Sequence, residues 1–110
     1  MKYHFIASVL LAGSAAIFMT AANAADADAA KKLAKRSDCL KCHAVDKTKI
    51  GPAYKKVAAK YKGKADAEEK LAQFITTGPK VKLEGGGELP HAIVDTKDKG
   101  EIKNLVAWIL

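Results

Sequence analysis

One short run constrains this chain more than anything else in it: Cys39-Leu40-Lys41-Cys42-His43. C-x-x-C-H is the attachment pattern for c-type haem. The spacing has a physical reason, because positions i, i+3 and i+4 of a helix share one face. Cys39 and Cys42 can therefore form thioethers to the two vinyl groups of one haem while His43 lies under the porphyrin and ligates iron as its proximal ligand. Covalent attachment keeps the cofactor through redox cycling and adds a large apolar body to a small core.

A small core is what the remaining sequence offers. Of the 110 residues, the first 24 read as a cleaved secretory leader: Lys2 near the start, an apolar stretch from Phe5 to Met19, and the A-x-A site Ala22-Asn23-Ala24. The apolar stretch falls short of the ~20 residues that a membrane span needs, which disfavours an uncleaved anchor. The folded domain is then residues 25–110, and removal of Lys2 lowers the formal charge from +7 to +6. Both methionines, Met1 and Met19, leave with the leader, and the only remaining histidines are His43 and His91. A domain of this size buries only ~60% of its unfolded surface and usually relies on disulfides, a metal or a large cofactor. It excludes a multidomain enzyme with a large cleft, and no catalytic acid, base or nucleophile is evident.

Other uses of the cysteines are weaker. A thioredoxin-like Cys39–Cys42 disulfide would want a βαβ context, and this chain reads helical. A structural zinc site would need all four of Cys39, Cys42, His43 and His91.

The helical reading rests on spacing and punctuation. Ala27–Ser37 reads as a first helix leading to the cysteine motif. Ile50-Gly51-Pro52 is a turn, and Pro52 suits the start of a helix over Ala53–Tyr61 with Tyr54, Val57, Ala58 and Tyr61 on one side. Asp66 with Glu69 reads as a capping box for a third helix carrying Leu71, Phe74 and Ile75, stopped by Gly78-Pro79. Asp98 with Glu101 reads as a second box, opening a last helix with Ile102, Leu105, Val106, Trp108 and Ile109. These stripes are read as ordinary core.

Cys39–Asp46, then Ile50-Gly51-Pro52-Ala53-Tyr54-Lys55-Lys56-Val57-Ala58-Ala59-Lys60-Tyr61, Leu71-Ala72-Gln73 and the closing Leu105–Leu110 resemble the small monohaem class I cytochromes c of bacterial periplasms. The resemblance covers residues 25–110, apart from an interruption at Pro79–Glu88. It implies an all-α fold, about four helices around one covalent haem c with its iron, and a Pro52 carbonyl that accepts a hydrogen bond from the His43 ring. The departure is at the second axial position. The family normally supplies a methionine within a Pro-Met-Pro-like run, and the corresponding run here is Leu89-Pro90-His91-Ala92-Ile93. His91 is therefore the candidate distal ligand, which would lower the reduction potential relative to methionine ligation. The alternatives are a surface His91 with iron five-coordinate or water-bound, or ligation by Lys80, Lys82 or Lys97.

Val81 and Leu83 alternate with Lys82 and Glu84 ahead of Gly85-Gly86-Gly87. That pattern fits a short β-hairpin over 81–89 covering one haem edge, or else a flexible loop. Lys41, Lys47, Lys49, Lys55, Lys56, Lys60, Lys62 and Lys64 crowd the haem-side half. They suit redox partners with acidic docking surfaces, or simply a solvated face. Nucleic acid is disfavoured, because no stacking aromatics interleave with the lysines. The expectation is a monomeric periplasmic carrier of single electrons, not an enzyme, with no membrane span once the leader is removed. The competing reading is a haem protein that binds or senses CO or NO through a dissociable or absent sixth ligand.

Overall fold

The computed structural model describes residues 24–110 together with Gly13, so the expected leader lies outside the described residues apart from Gly13 and Ala24. Five helices and one two-stranded sheet follow in the order α1 (Ala27–Arg36), α2 (Cys39–Cys42), α3 (Tyr54–Tyr61), α4 (Ala67–Thr77), β1 (Lys80–Lys82), β2 (Glu88–Pro90) and α5 (Lys99–Ile109). The single turn of α2 is the addition to the four helices expected from spacing.

Helix α5 is the hub, and α1, α3 and α4 all pack on it. Ala30 and Ala34 lie one turn apart on α1 and are fully buried, so the two backbones can approach closely. Leu33, Leu105 and Val106 are the largest side chains removed from water at that junction, each contributing about 1.5–3 kcal/mol by burial. Polar ties close both ends of the pair. The Asp26 amide donates to Asn104 Oδ1 at 2.8 Å, and Asn104 Nδ2 donates to the Asp26 carbonyl at 2.9 Å. Arg36 reaches the Glu101 carboxylate at 3.1 Å.

The two proposed capping boxes resolve differently. Asp98 accepts from the Glu101 amide at 2.8 Å, but the Glu101 side chain turns to Thr96 and Arg36 instead of back to the cap. Asp66 makes no side-chain cap, since its backbone sits at φ −97°, ψ 10° rather than in the extended region. Its carboxylate instead pairs with Lys70 at 3.0 Å.

The segment over 79–90 forms the hairpin. Antiparallel pairing sets Val81 opposite Leu89, and Gly86 and Gly87 take positive φ at the reversal. Gly78 ends α4 in the left-handed region, as a helix-stop glycine does. The chain then returns under α4: His91 donates its amide to the Pro79 carbonyl, and Val94 to that of Ile75, both at 2.9 Å. Among the described residues no helix is long and apolar enough to cross a membrane.

Candidate cofactor site

A largely apolar cavity of about 540 Å³ opens between the helices and the hairpin, within the range of about 300–1,000 Å³ common to cofactor-sized sites. Leu71, Phe74 and Ile75 from α4 and Leu105 and Ile109 from α5 make one wall, and Val81, Leu83 and Leu89 come from the hairpin. Cys39, Cys42, His43, Pro52 and His91 all face this space.

Local backbone chemistry places the cysteine motif. Ser37 is buried, its hydroxyl accepts from the Asp95 amide at 2.8 Å, and the chain turns out of α1 through Asp38 at φ 62°. That left-handed step begins α2 and sends Cys39 and Cys42 toward the cavity. His43 is not part of the helical turn, contrary to the simple i, i+4 picture. It still donates its amide to the Cys39 carbonyl at 2.9 Å, but its own backbone is extended and bridges Thr48. The loop beyond is laced back by Gly51 N–H to Cys42 O at 2.8 Å and Tyr54 N–H to Ala44 O at 2.9 Å.

This lacing holds Gly51 and Pro52 against the His43 ring. His43 Nδ1 lies 2.6 Å from the Pro52 carbonyl oxygen, so the nitrogen donates and Nε2 keeps its lone pair. A Cβ on Gly51 would stand 2.7 Å from His43 Cε1, which explains why no larger residue fits there. Tyr54 stacks on the His43 ring at 5.0 Å between centroids and 19° between planes, and Trp108 meets Tyr54 edge-on at 5.5 Å. Burial pushes the Tyr54 hydroxyl well above its ordinary value.

Across the cavity stands His91. Its Nδ1 lies 2.8 Å from the Ala92 carbonyl, leaving Nε2 again as the acceptor. Burial pulls its pKa down, the Ala92 carbonyl partly opposes that, and nearby His43 adds to the lowering. A neutral imidazole with a free lone pair is the ligating form. The two rings have centroids 6.0 Å apart and planes at 49°. Two imidazoles bonded to one metal from opposite sides, with metal–nitrogen bonds of about 2 Å, hold their centres about 6 Å apart. The residues present therefore fit a flat cofactor with its metal between the rings. Among the described residues no group of three or more His, Cys, Asp or Glu side chains is placed to hold a metal by itself, and Cys39 and Cys42 form no disulfide.

Leu71, Ile75, Leu105 and Ile109 are buried core as their stripes predict, with Phe74 packed against them. That they also line the cavity is not visible in periodicity, because a helix face against a cofactor and one against protein have the same pattern. Half of the lysine cluster is engaged locally by ion pairs or hydrogen bonds, and Lys60 and Lys64 each stand 5.9 Å from the Tyr61 ring centre. Lys41 pairs with Asp38 at 3.2 Å and Lys55 with Asp46 at 2.6 Å, while Lys49 and Lys56 bond the Leu40 carbonyl and the Thr48 hydroxyl, both at 2.9 Å.

A helical fold wrapped about an apolar slot, with a C-x-x-C-H turn on one side, is the arrangement of a small haem-binding protein. The family model described as cytochrome c matches residues 27–110. Cytochrome c-551 of Allochromatium vinosum is 40% identical over 92 residues, covering 84% of this chain and 93% of the relative. Cytochrome c-551 of Pseudomonas aeruginosa is 36% identical over 110 residues, covering 100% and 97%. Among solved structures, the class 1 cytochrome MtoD from Sideroxydans lithotrophicus ES-1 is similar with a TM-score of 0.76 and 56% identity, over 79% of this chain and 96% of that one. The chain belongs to the cytochrome c family, among its small class I monohaem members of bacteria. Its cofactor is covalent haem c, and it is an electron carrier that works with redox partners.

Proposed function

We propose that this cytochrome is a periplasmic, monomeric carrier of single electrons whose haem iron is held by His43 and His91 and whose potential is low for its family. Cys39 and Cys42 supply the thioethers, and residues 1–24 are the leader that directs export. When bound, the haem supplies one-electron chemistry by cycling between ferric and ferrous iron. The protein's part is to fix both imidazoles, exclude water and present an edge to partners. The observation that carries the reading is the 6.0 Å separation of two imidazoles, each with Nδ1 occupied by a backbone carbonyl.

Each carbonyl fixes a tautomer and raises the basicity of the opposite nitrogen, the usual role of an outer contact to a ligating histidine. Imidazole in place of thioether sulfur favours ferric iron, because Met/His ligation raises the potential. Ile50 and Leu89, 49% and 43% exposed at the cavity rim, with the lysines around them, suit a partner with an acidic surface.

The test is optical and EPR spectroscopy of the purified holoprotein beside His91→Ala, with CO added to the ferrous forms. The expected result is a low-spin wild type that resists CO and a high-spin variant that binds it. A wild type that binds CO readily and does not change with the substitution would overturn His91 ligation and favour small-ligand binding.

A further inference from the structure

The imidazole of His91 has a second ring against it. Phe74, from α4, meets it edge-on with centroids 4.9 Å apart and planes at 67°. The backbone around His91 is pinned by the hydrogen bond that its amide donates to the Pro79 carbonyl and by the close approach of its own carbonyl to Gly78. Those restraints locate the residue but leave its ring free to turn about the Cβ–Cγ bond, a broad, roughly two-fold torsion in histidine. What resists that turning is the Nδ1 contact with the Ala92 carbonyl, one residue on in sequence, and the edge of Phe74.

His43 is arranged in the same way, with one carbonyl from Pro52 and one aromatic neighbour, Tyr54. Each imidazole plane is thus set by a carbonyl and a ring. We propose that Phe74 is a positioning residue that sets the plane of the His91 imidazole, and with it the 49° angle between the two rings. The proposal rests on the reading of His91 as the second axial ligand. The angle between axial imidazole planes decides how both rings mix with the iron d orbitals, so the g anisotropy of low-spin ferric haem reads it directly. A residue that merely fills the cavity wall would not move that signal.

The experiment is EPR of the ferric holoprotein in wild type, Phe74→Leu, Phe74→Tyr, Val106→Ala and His91→Ala, with imidazole titrated as a competing ligand. Phe74→Leu is expected to stay low-spin with its largest g value displaced beyond the linewidth. Imidazole should displace His91 about two- to tenfold more readily, the factor an edge-to-face ring pair supports. Phe74→Tyr keeps the ring edge and should restore the wild-type spectrum. Val106→Ala, buried at the α1–α5 junction and outside the cavity lining, should lower stability and leave the g values unchanged. If the leucine variant does not retain haem, Phe74→Trp takes its place, and its larger ring must also shift the g values.

Wild-type g values and unchanged imidazole displacement in the leucine variant, or in the tryptophan variant where it stands in, would overturn the role of Phe74 while leaving His91 ligation intact. A low-spin signal that survives His91→Ala, or a high-spin wild type, would overturn the ligation reading and the proposal with it.

Discussion

Gly78 is the position where a single methyl group should cost this protein most. It ends α4 at φ +63°, and a Cβ there would lie 2.7 Å from the His91 carbonyl oxygen and 3.0 Å from Ile93 Cγ1. Gly63 gives the matching control, because at φ +76° it has nothing within 4 Å of an added Cβ. Gly63→Ala therefore meets only the strain of a left-handed L-residue, about 1–2 kcal/mol. Gly78→Ala meets the same strain plus an overlap with main chain, which adds about 1–3 kcal/mol of overpacking. A domain of this size loses about 4–8 °C of melting temperature per kcal/mol, so the expected falls are roughly 10 °C for Gly63→Ala and roughly 20 °C for Gly78→Ala. The overlap is with His91 itself, so only Gly78→Ala should also give the ferric spectrum a high-spin component. Far-UV circular dichroism melts and optical spectra of the holoproteins provide both readouts. Equal melting losses with wild-type spectra in both variants would refute the argument that the close approach at Gly78 seats His91.

Three further outcomes are expected. Asp98→Ala removes a formed N-cap and should cost about 1 kcal/mol in denaturant unfolding, whereas Asp66→Ala loses only an exposed pair with Lys70 and should cost little; similar losses in both would contradict the cap assignment. Glu101 is held below its ordinary value of 4.5, first by the Thr96 hydroxyl and then by Arg36. The folded state therefore binds fewer protons than the unfolded one, and this contribution is present above about pH 4.5 and lost as pH falls through the lower folded value. Glu101→Gln should flatten the loss of stability in acid, and an unchanged pH profile would count against the network. His91→Met should raise the reduction potential on voltammetry by on the order of 0.1 V, inside the ~0.8 V that axial ligands span; a fall or no change would count against histidine as the native ligand.

Much of the architecture is legible along the chain, and the misses have specific causes. Gly78 and Pro79 mark the end of α4, Asp98 caps α5, and the alternation around Val81 marks the hairpin because local chemistry alone selects those conformations. The Asp66 box fails because the chain enters α4 through a turn, so the Asp66 backbone never reaches the extended region that a capping side chain requires. The motif's histidine leaves its helix because the Thr48 bridge and the Gly51 amide compete successfully for the backbone there. Tyr54 and Phe74 do belong to the core, and their second role facing the slot is hidden because burial against protein and burial against a cofactor select the same residues at the same spacing.

The chemistry of the site was decided by residue identity. Two thiols and an imidazole at fixed spacing, and a second histidine with no methionine anywhere in 25–110, determine which donors exist whatever the fold. Geometry was decided by tertiary structure. The 6.0 Å gap and the 49° angle arise because the Pro52 loop, α4 and the segment after the hairpin converge on two rings. No local preference encodes that convergence, since each ring is oriented by neighbours that packing alone brings to it.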